Sequence, residues 1–132
     1  ALYPFNNGQG WEWPSSFTPL ADIAKTKQVQ AVLSNSFGTS FRTFVIWAYR
    51  VGADDSYWCK EFSDIDAKAE IQQFSELTEH LLTTFAGSGV SIYLEHWEGD
   101  WAARCGSYNA SITPTPQVAK NMIQWLGARQ RG

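Results

Sequence analysis

Apolar residues recur along this chain with two alternating periods, and the alternation predicts strands separated by helices. Between residues 41 and 49, Phe41, Phe44, Val45, Ile46, Trp47, Ala48 and Tyr49 form a nearly continuous apolar, β-branched and aromatic run. That is the pattern of a strand buried on both faces. A second short apolar run, residues 90–94, predicts another strand. Between them, Ala67, Ile71, Phe74, Leu77, Leu81 and Phe85 recur at three and four residues, the spacing of a helix with one apolar face. Ser63 starts that helix, Asp64 and Asp66 stand in its first turn where the macrodipole favours negative charge, and Gly87 ends it.

The flanking regions read in the same way. Thr18 is a candidate N-cap with Pro19 at the first helical position. Leu20, Ile23, Ala24, Ala31 and Val32 follow at helical spacing over residues 20–33, with Thr26 a point of division into two shorter helices. Residues 35–40 predict a turn and residues 99–113 a loop. Thr115 with Pro116 opens a last helix carrying Val118, Met122, Trp125 and Leu126 towards the basic residues Arg129 and Arg131. Residues 1–17, rich in Gly, Asn, Pro and aromatics, predict a short strand and a long loop. Strands joined by helices of this length imply a parallel sheet, so the expected fold is α/β: a three-layer α/β/α sandwich with a small, mostly parallel sheet of about three to four strands. In such sheets ligands bind beyond the carboxyl ends of the strands.

Composition narrows the function. The 132 residues suffice for one hydrophobic core, so a single domain is expected, and 44% hydrophobic with 17% charged residues suits a soluble globular chain without a membrane span. A net charge of -3, with ten scattered Lys and Arg, argues against a nucleic-acid partner. Seven Trp exceed what a core of this size needs, which predicts partly exposed indoles. Trp47 and Trp125 lie on predicted elements and are expected in the core. Trp11, Trp13, Trp58, Trp97 and Trp101 lie in predicted loops, as lids over the sheet ends or as platforms for ligand. Cys59 and Cys105 follow predicted strands. In an exported protein they would pair, and in a cytosolic one they would be free thiols. The first residue, Ala1, suits a chain whose targeting segment has been removed, or a fragment, and the expected location is secreted. Asn109-Ala110-Ser111 is a glycosylation sequon, a tripeptide too common to carry weight alone.

The densest chemistry lies in nine residues, Tyr93-Leu94-Glu95-His96-Trp97-Glu98-Gly99-Asp100-Trp101, at the end of the second predicted strand. A sugar presents hydroxyls that need carboxylate acceptors and C–H faces that lie flat on indoles, so this mixture is matched to a saccharide. Strand-end placement puts the segment from Tyr49 to Trp58 on the same rim. The expected ligand-binding residues are Tyr49, Trp58, Glu95, His96, Trp97, Glu98, Asp100 and Trp101. A hydrolase would use Glu95 or Glu98 as acid/base with another rim acid, Asp100, Asp54 or Asp55, as partner. The bland alternative has these acids bonding loop amides or sugar hydroxyls without chemistry. The spacing of His96, Glu98 and Asp100 matches no zinc or calcium loop, His80 is mid-helix, and no cofactor motif is present, so neither metal nor cofactor is expected. Gly87-Ser88-Gly89 precedes a strand, which makes it a helix stop and not a phosphate cradle.

The Tyr93-to-Trp101 run, the preceding Leu81-Leu82-Thr83-Thr84-Phe85 and the strand from Phe41 to Tyr49 together resemble small secreted glycan-binding proteins of mushrooms, of the inky-cap fruiting-body lectin type. The resemblance covers about residues 18–126, and Glu98-Gly99-Asp100 with its flanking indoles is its specific motif. It implies an α/β/α sandwich that recognises N-acetylhexosamine- or fucose-bearing glycans. The Trp-Glu-Gly-Asp-Trp pattern is also similar to segments that end a strand in glycoside-hydrolase-like barrels. A complete barrel takes about 200 residues or more, so this chain would be at most a half-barrel. Shallow sugar sites bind weakly, and avidity would call for a homodimer or clustered ligand.

Overall fold

A computed structural model describes residues 19–34, 41–53, 59–96 and 99–132. The expected strand within 1–17, the Thr18 cap and the turn at 35–40 lie outside the described residues. Seven elements follow in order: α1 (Leu20–Ala24), α2 (Lys27–Leu33), β1 (Thr43–Trp47), α3 (Asp64–Phe85), β2 (Ser91–Glu95), α4 (Gly99–Ala103) and α5 (Pro116–Arg131).

Local signals explain most of these boundaries. The Thr26 hydroxyl accepts the Val29 N–H and donates to the Ile23 carbonyl, so it closes α1 and opens α2. Ser63 and Asp66 form a reciprocal capping box at the start of α3, and Gly87, at φ +71°, takes the left-handed conformation that ends it. Thr115 caps α5 through the Val118 N–H, with Pro116 next in line. Pro19 itself occupies the cap position of α1, one residue earlier in role than expected, and no side chain caps that helix.

β1 and β2 pair in parallel, in a register that sets Thr43 against Ser91 and Trp47 against Glu95. The mixed α/β architecture with a parallel sheet is as the sequence predicted, but the described residues form two strands, against the three to four expected. The helices cover one sheet face. Phe44, Ile46, Ile92 and Leu94 point into a core with Leu20, Ile23 and Ala24 of α1, Leu33 of α2, and Phe74, Leu77 and Leu81 of α3. A second cluster, Phe62, Ala102, Val118, Trp125 and Ala128, packs α4 and α5 together.

Four expectations are overturned. β1 is not buried on both faces: Val45 and Trp47 are 61% and 43% exposed, and Tyr93 beside them on β2 is 61% exposed. The continuous apolar run therefore combines an inner face with an outer face that also carries large apolar groups, and Trp47 is not a core residue. Val32 is exposed, and Leu33 supplies the buried contact of α2 in its place. Part of the loop expected over 99–113 is the short helix α4.

Candidate functional site

Strand alternation decides which candidate groups share a surface. Trp47 and Glu95 are the last residues of β1 and β2, partners in the ladder, and both emerge on the exposed face. The Trp47 indole N–H donates to Glu95 Oε2 at 2.9 Å. This leaves an oriented carboxylate beside an accessible indole, with Tyr93 one step back on the same face. The sequence places Trp47 in the core, and so leaves it out of the candidate residues, because its neighbours in sequence are core residues.

The next residue, His96, turns to the other side. Its ring meets that of Trp125 edge-on, with centroids 5.7 Å apart, and it lines a cleft with Phe74, Thr78, Leu94 and Arg129. A Cβ at Gly99 would stand 3.1 Å from His96 Cε1, so the glycine that opens α4 lets this ring pack closely. His96 and Glu95 thus stand on opposite sides of the strand end, as its period-two geometry dictates.

Asp100 and Trp101 belong to α4. The exposed Asp100 carboxylate accepts a bond from Arg104 Nη2 at 2.9 Å. That bond, with help from the Trp101 backbone N–H, holds the carboxyl below its usual range. The half-buried Trp101 ring lies against Gly106, where a Cβ would come within 3.2 Å of it, and against the Tyr108 ring at 6.2 Å. Tyr49 is half-buried just beyond β1. Trp11, Trp13, Asp54, Asp55, Trp58, Trp97 and Glu98 lie outside the described residues. Cys59 and Cys105 are joined in a disulfide, with Cα atoms 5.5 Å apart. Among the described residues no three His, Cys, Asp or Glu side chains are grouped to hold a metal ion. No described helix is long and apolar enough to cross a membrane.

The strand end is held by a buried ionic network that the sequence reading did not single out. Glu70 of α3 is fully buried and accepts the Trp125 indole N–H at 3.0 Å. Its oxygens also face Arg50 Nε at 3.4 Å and Arg129 Nε at 3.9 Å. Arg50 continues to Asp66 at 2.8 Å, and Arg129 donates to the Ala48 carbonyl at 2.7 Å. The Arg129 guanidinium also stacks over the rings of Phe74 and Trp125. Gln73 bonds both backbone groups of Val51. Residues 48–51, the exit from β1, are thus clamped by α3 and α5. Partial burial pushes the Asp66 carboxyl up, but bonds from the Ser63 hydroxyl and N–H, together with the Arg50 charge, outweigh it and leave the group below its usual range. The signal for Glu70 was available, because residues 70, 74, 77 and 81 form one buried stripe and a carboxylate in that register needs a partner.

Compared with protein-family models, with curated proteins and with solved structures, the chain matches none.

Proposed function

We propose that this protein binds glycans at the exposed carboxyl end of its parallel strands, with Trp47 and Tyr93 as apolar platforms and Glu95 as the hydroxyl acceptor. The Trp47–Glu95 pair carries this reading. A carboxylate fixed beside an accessible indole offers a sugar the two things its surface requires, an acceptor for hydroxyls and a flat apolar face for C–H groups. Asp100 and Trp101, in α4 after β2, are further candidate contacts within the same proposal. The three-layer sandwich of the fruiting-body lectins, secretion and a glycan bearing N-acetylhexosamine or fucose belong to the same proposal. The disulfide suits an oxidising compartment. A homodimer would supply the avidity that one shallow site lacks.

The hydrolase reading would make Glu95 the acid/base. Glu95 is exposed, and among the described residues nothing encloses it as such chemistry requires, so we favour binding. A glycan array followed by titration of the best glycan tests the proposal. Binding to a defined glycan class, lost in both Trp47→Ala and Glu95→Gln without turnover of aryl glycosides, supports it. No glycan bound, or two variants that bind like the parent, overturns it.

A further inference from the structure

The loop between α4 and α5 carries the chain's one Asn-X-Ser/Thr tripeptide, Asn109-Ala110-Ser111, and presents it in a specific conformation. Asn109 Oδ1 accepts the Ser111 backbone N–H at 3.0 Å, which closes an Asx turn. The Asn109 carbonyl accepts the Ile112 N–H at 3.1 Å, and the Asn109 N–H donates to the Ser107 hydroxyl at 3.2 Å. Because a backbone N–H only donates, the amide orientation of Asn109 is determined: its oxygen faces the chain and Nδ2 is the other branch. The same turn holds the Ser111 backbone N–H against the Asn109 side chain. Every residue from 108 to 117 is exposed, so a bulky substituent on Nδ2 displaces no packed group.

A second, independent observation points to the chemical setting. Cys105, four residues before Asn109, is bonded to Cys59, and such bridges form in the oxidising secretory compartments where glycosyl transfer to asparagine takes place. We infer that Asn109 is an N-glycosylation site. In the step, Asn109 Nδ2 attacks the anomeric carbon of a lipid-pyrophosphate-linked oligosaccharide. The Nδ2–C1 bond forms, the bond from C1 to the pyrophosphate oxygen breaks, the lipid pyrophosphate leaves, and one amide proton passes to a base of the transferase. The Oδ1 bond to the Ser111 N–H draws electron density from the amide and makes that proton easier to lose. This inference is independent of glycan binding by the strand-end face, since a protein can carry a glycan whether or not it binds one.

The test is secretion of the full chain from a eukaryotic host that glycosylates a co-expressed control protein, followed by peptide mass mapping. The expected result is a peptide containing Asn109 that carries an N-linked oligosaccharide, which peptide-N-glycosidase removes with conversion of Asn109 to Asp. Asn109→Gln and Ser111→Ala should each abolish the modification, and Ser111→Thr should retain it. If Asn109→Gln is not secreted, Ser111→Ala, which keeps the asparagine and its turn, decides the sequon requirement. Bare Asn109 in secreted parent protein, or a glycan that persists at Asn109 in Ser111→Ala, overturns the inference.

Discussion

Trp47 and Glu95, 48 residues apart in sequence, are ladder partners whose side chains join through a 2.9 Å bond from indole N–H to carboxylate on the open face of the sheet. Parallel pairing produces this juxtaposition. Strand partners in register put their side chains on the same face, and the helix between the strands returns the chain to the edge of β1. Neither residue serves the core, and each is adjacent to one that does: Ile46 is buried and Leu94 half-buried beneath them.

Because the pair is exposed, removing it should affect binding far more than folding. Glu95→Ala should lower unfolding free energy by less than about 1 kcal/mol, the scale of one solvent-exposed bond. The same change should weaken glycan binding about tenfold, which corresponds to about 1.4 kcal/mol. Urea unfolding and calorimetric titration of one preparation check both halves. A large stability loss would mean that the carboxylate serves the fold rather than a ligand.

Glu70 should behave in the opposite way. It joins the Trp125 indole and two arginines inside the protein, so Glu70→Ala strands buried positive charge and should cost about 3–5 kcal/mol. Trp125→Phe removes one donor from the buried carboxylate and should cost about 1–3 kcal/mol for that loss alone. Chemical denaturation measures both. If Glu70→Ala unfolds at the parent's midpoint, the network does not clamp the exit from β1 to α3 and α5.

These two residues also mark what was legible in the sequence. The helices announced themselves through caps and spacing: Ser63 and Thr115 accept the bonds expected of N-caps, Thr26 divides α1 from α2 as expected, and Gly87 ends α3. The parallel order followed from the alternation of strand and helix, and the disulfide from a lone pair of cysteines in a chain expected to be exported. The sidedness of β1 was not legible, because aromatic residues on an open face produce the same apolar run as burial on both faces. The turn of His96 away from Glu95 is hidden in a dense motif that reads as one surface, whereas consecutive residues at a strand end point in opposite directions. Trp125 was recognised as core, but its indole N–H requires an acceptor there, and following that requirement along the stripe of α3 leads to Glu70.

Stability should fall on mild acidification through His80. Gln30 Nε2 donates to the Ala24 carbonyl at 2.7 Å, which fixes its amide, and the same nitrogen stands 3.2 Å from His80 Nε2. The other ring nitrogen, Nδ1, stands 3.3 Å from the Thr84 hydroxyl. Burial, and then the charge of Lys25, outweigh a bond to the Ala24 backbone and hold His80 below its ordinary value, and Lys25, Glu76 and Glu79 line the same groove. Between the folded value and the unfolded value of 6.5, the unfolded chain binds more protons at this site, so stability rises with pH there. The contribution is complete above the unfolded value and lost as pH falls through the folded one. Asp66, also lowered, adds a loss of the same sign at more acidic pH, below the unfolded carboxyl value of 3.8. Melting temperatures from pH 7 to 5 should decline in the parent and decline less in His80→Gln. Equal slopes would remove His80 as the cause.

Reduction of the disulfide should loosen one part of the molecule selectively. The bridge spans 46 residues, and by the chain-entropy argument a loop of that size contributes about 3–4 kcal/mol. Its location determines where the loss appears. Cys59 packs against the cluster of Phe62, Ala102, Val118, Trp125 and Ala128, and Cys105 ends the turn that leaves α4, so the bond closes the core shared by α4 and α5. The other cluster, under the sheet, is built from α1, α2, α3 and the two strands and includes neither cysteine. Hydrogen exchange on the reduced protein should therefore show lost protection in α4 and α5 before β1, β2 and α1, together with a lower melting temperature. Trp101 stands on the same α4 turn, packed on Gly106 and Tyr108, so glycan binding should weaken in parallel if that turn takes part in recognition. A uniform loss of protection across both clusters would show instead that they unfold as one unit and that the bridge acts on the whole chain.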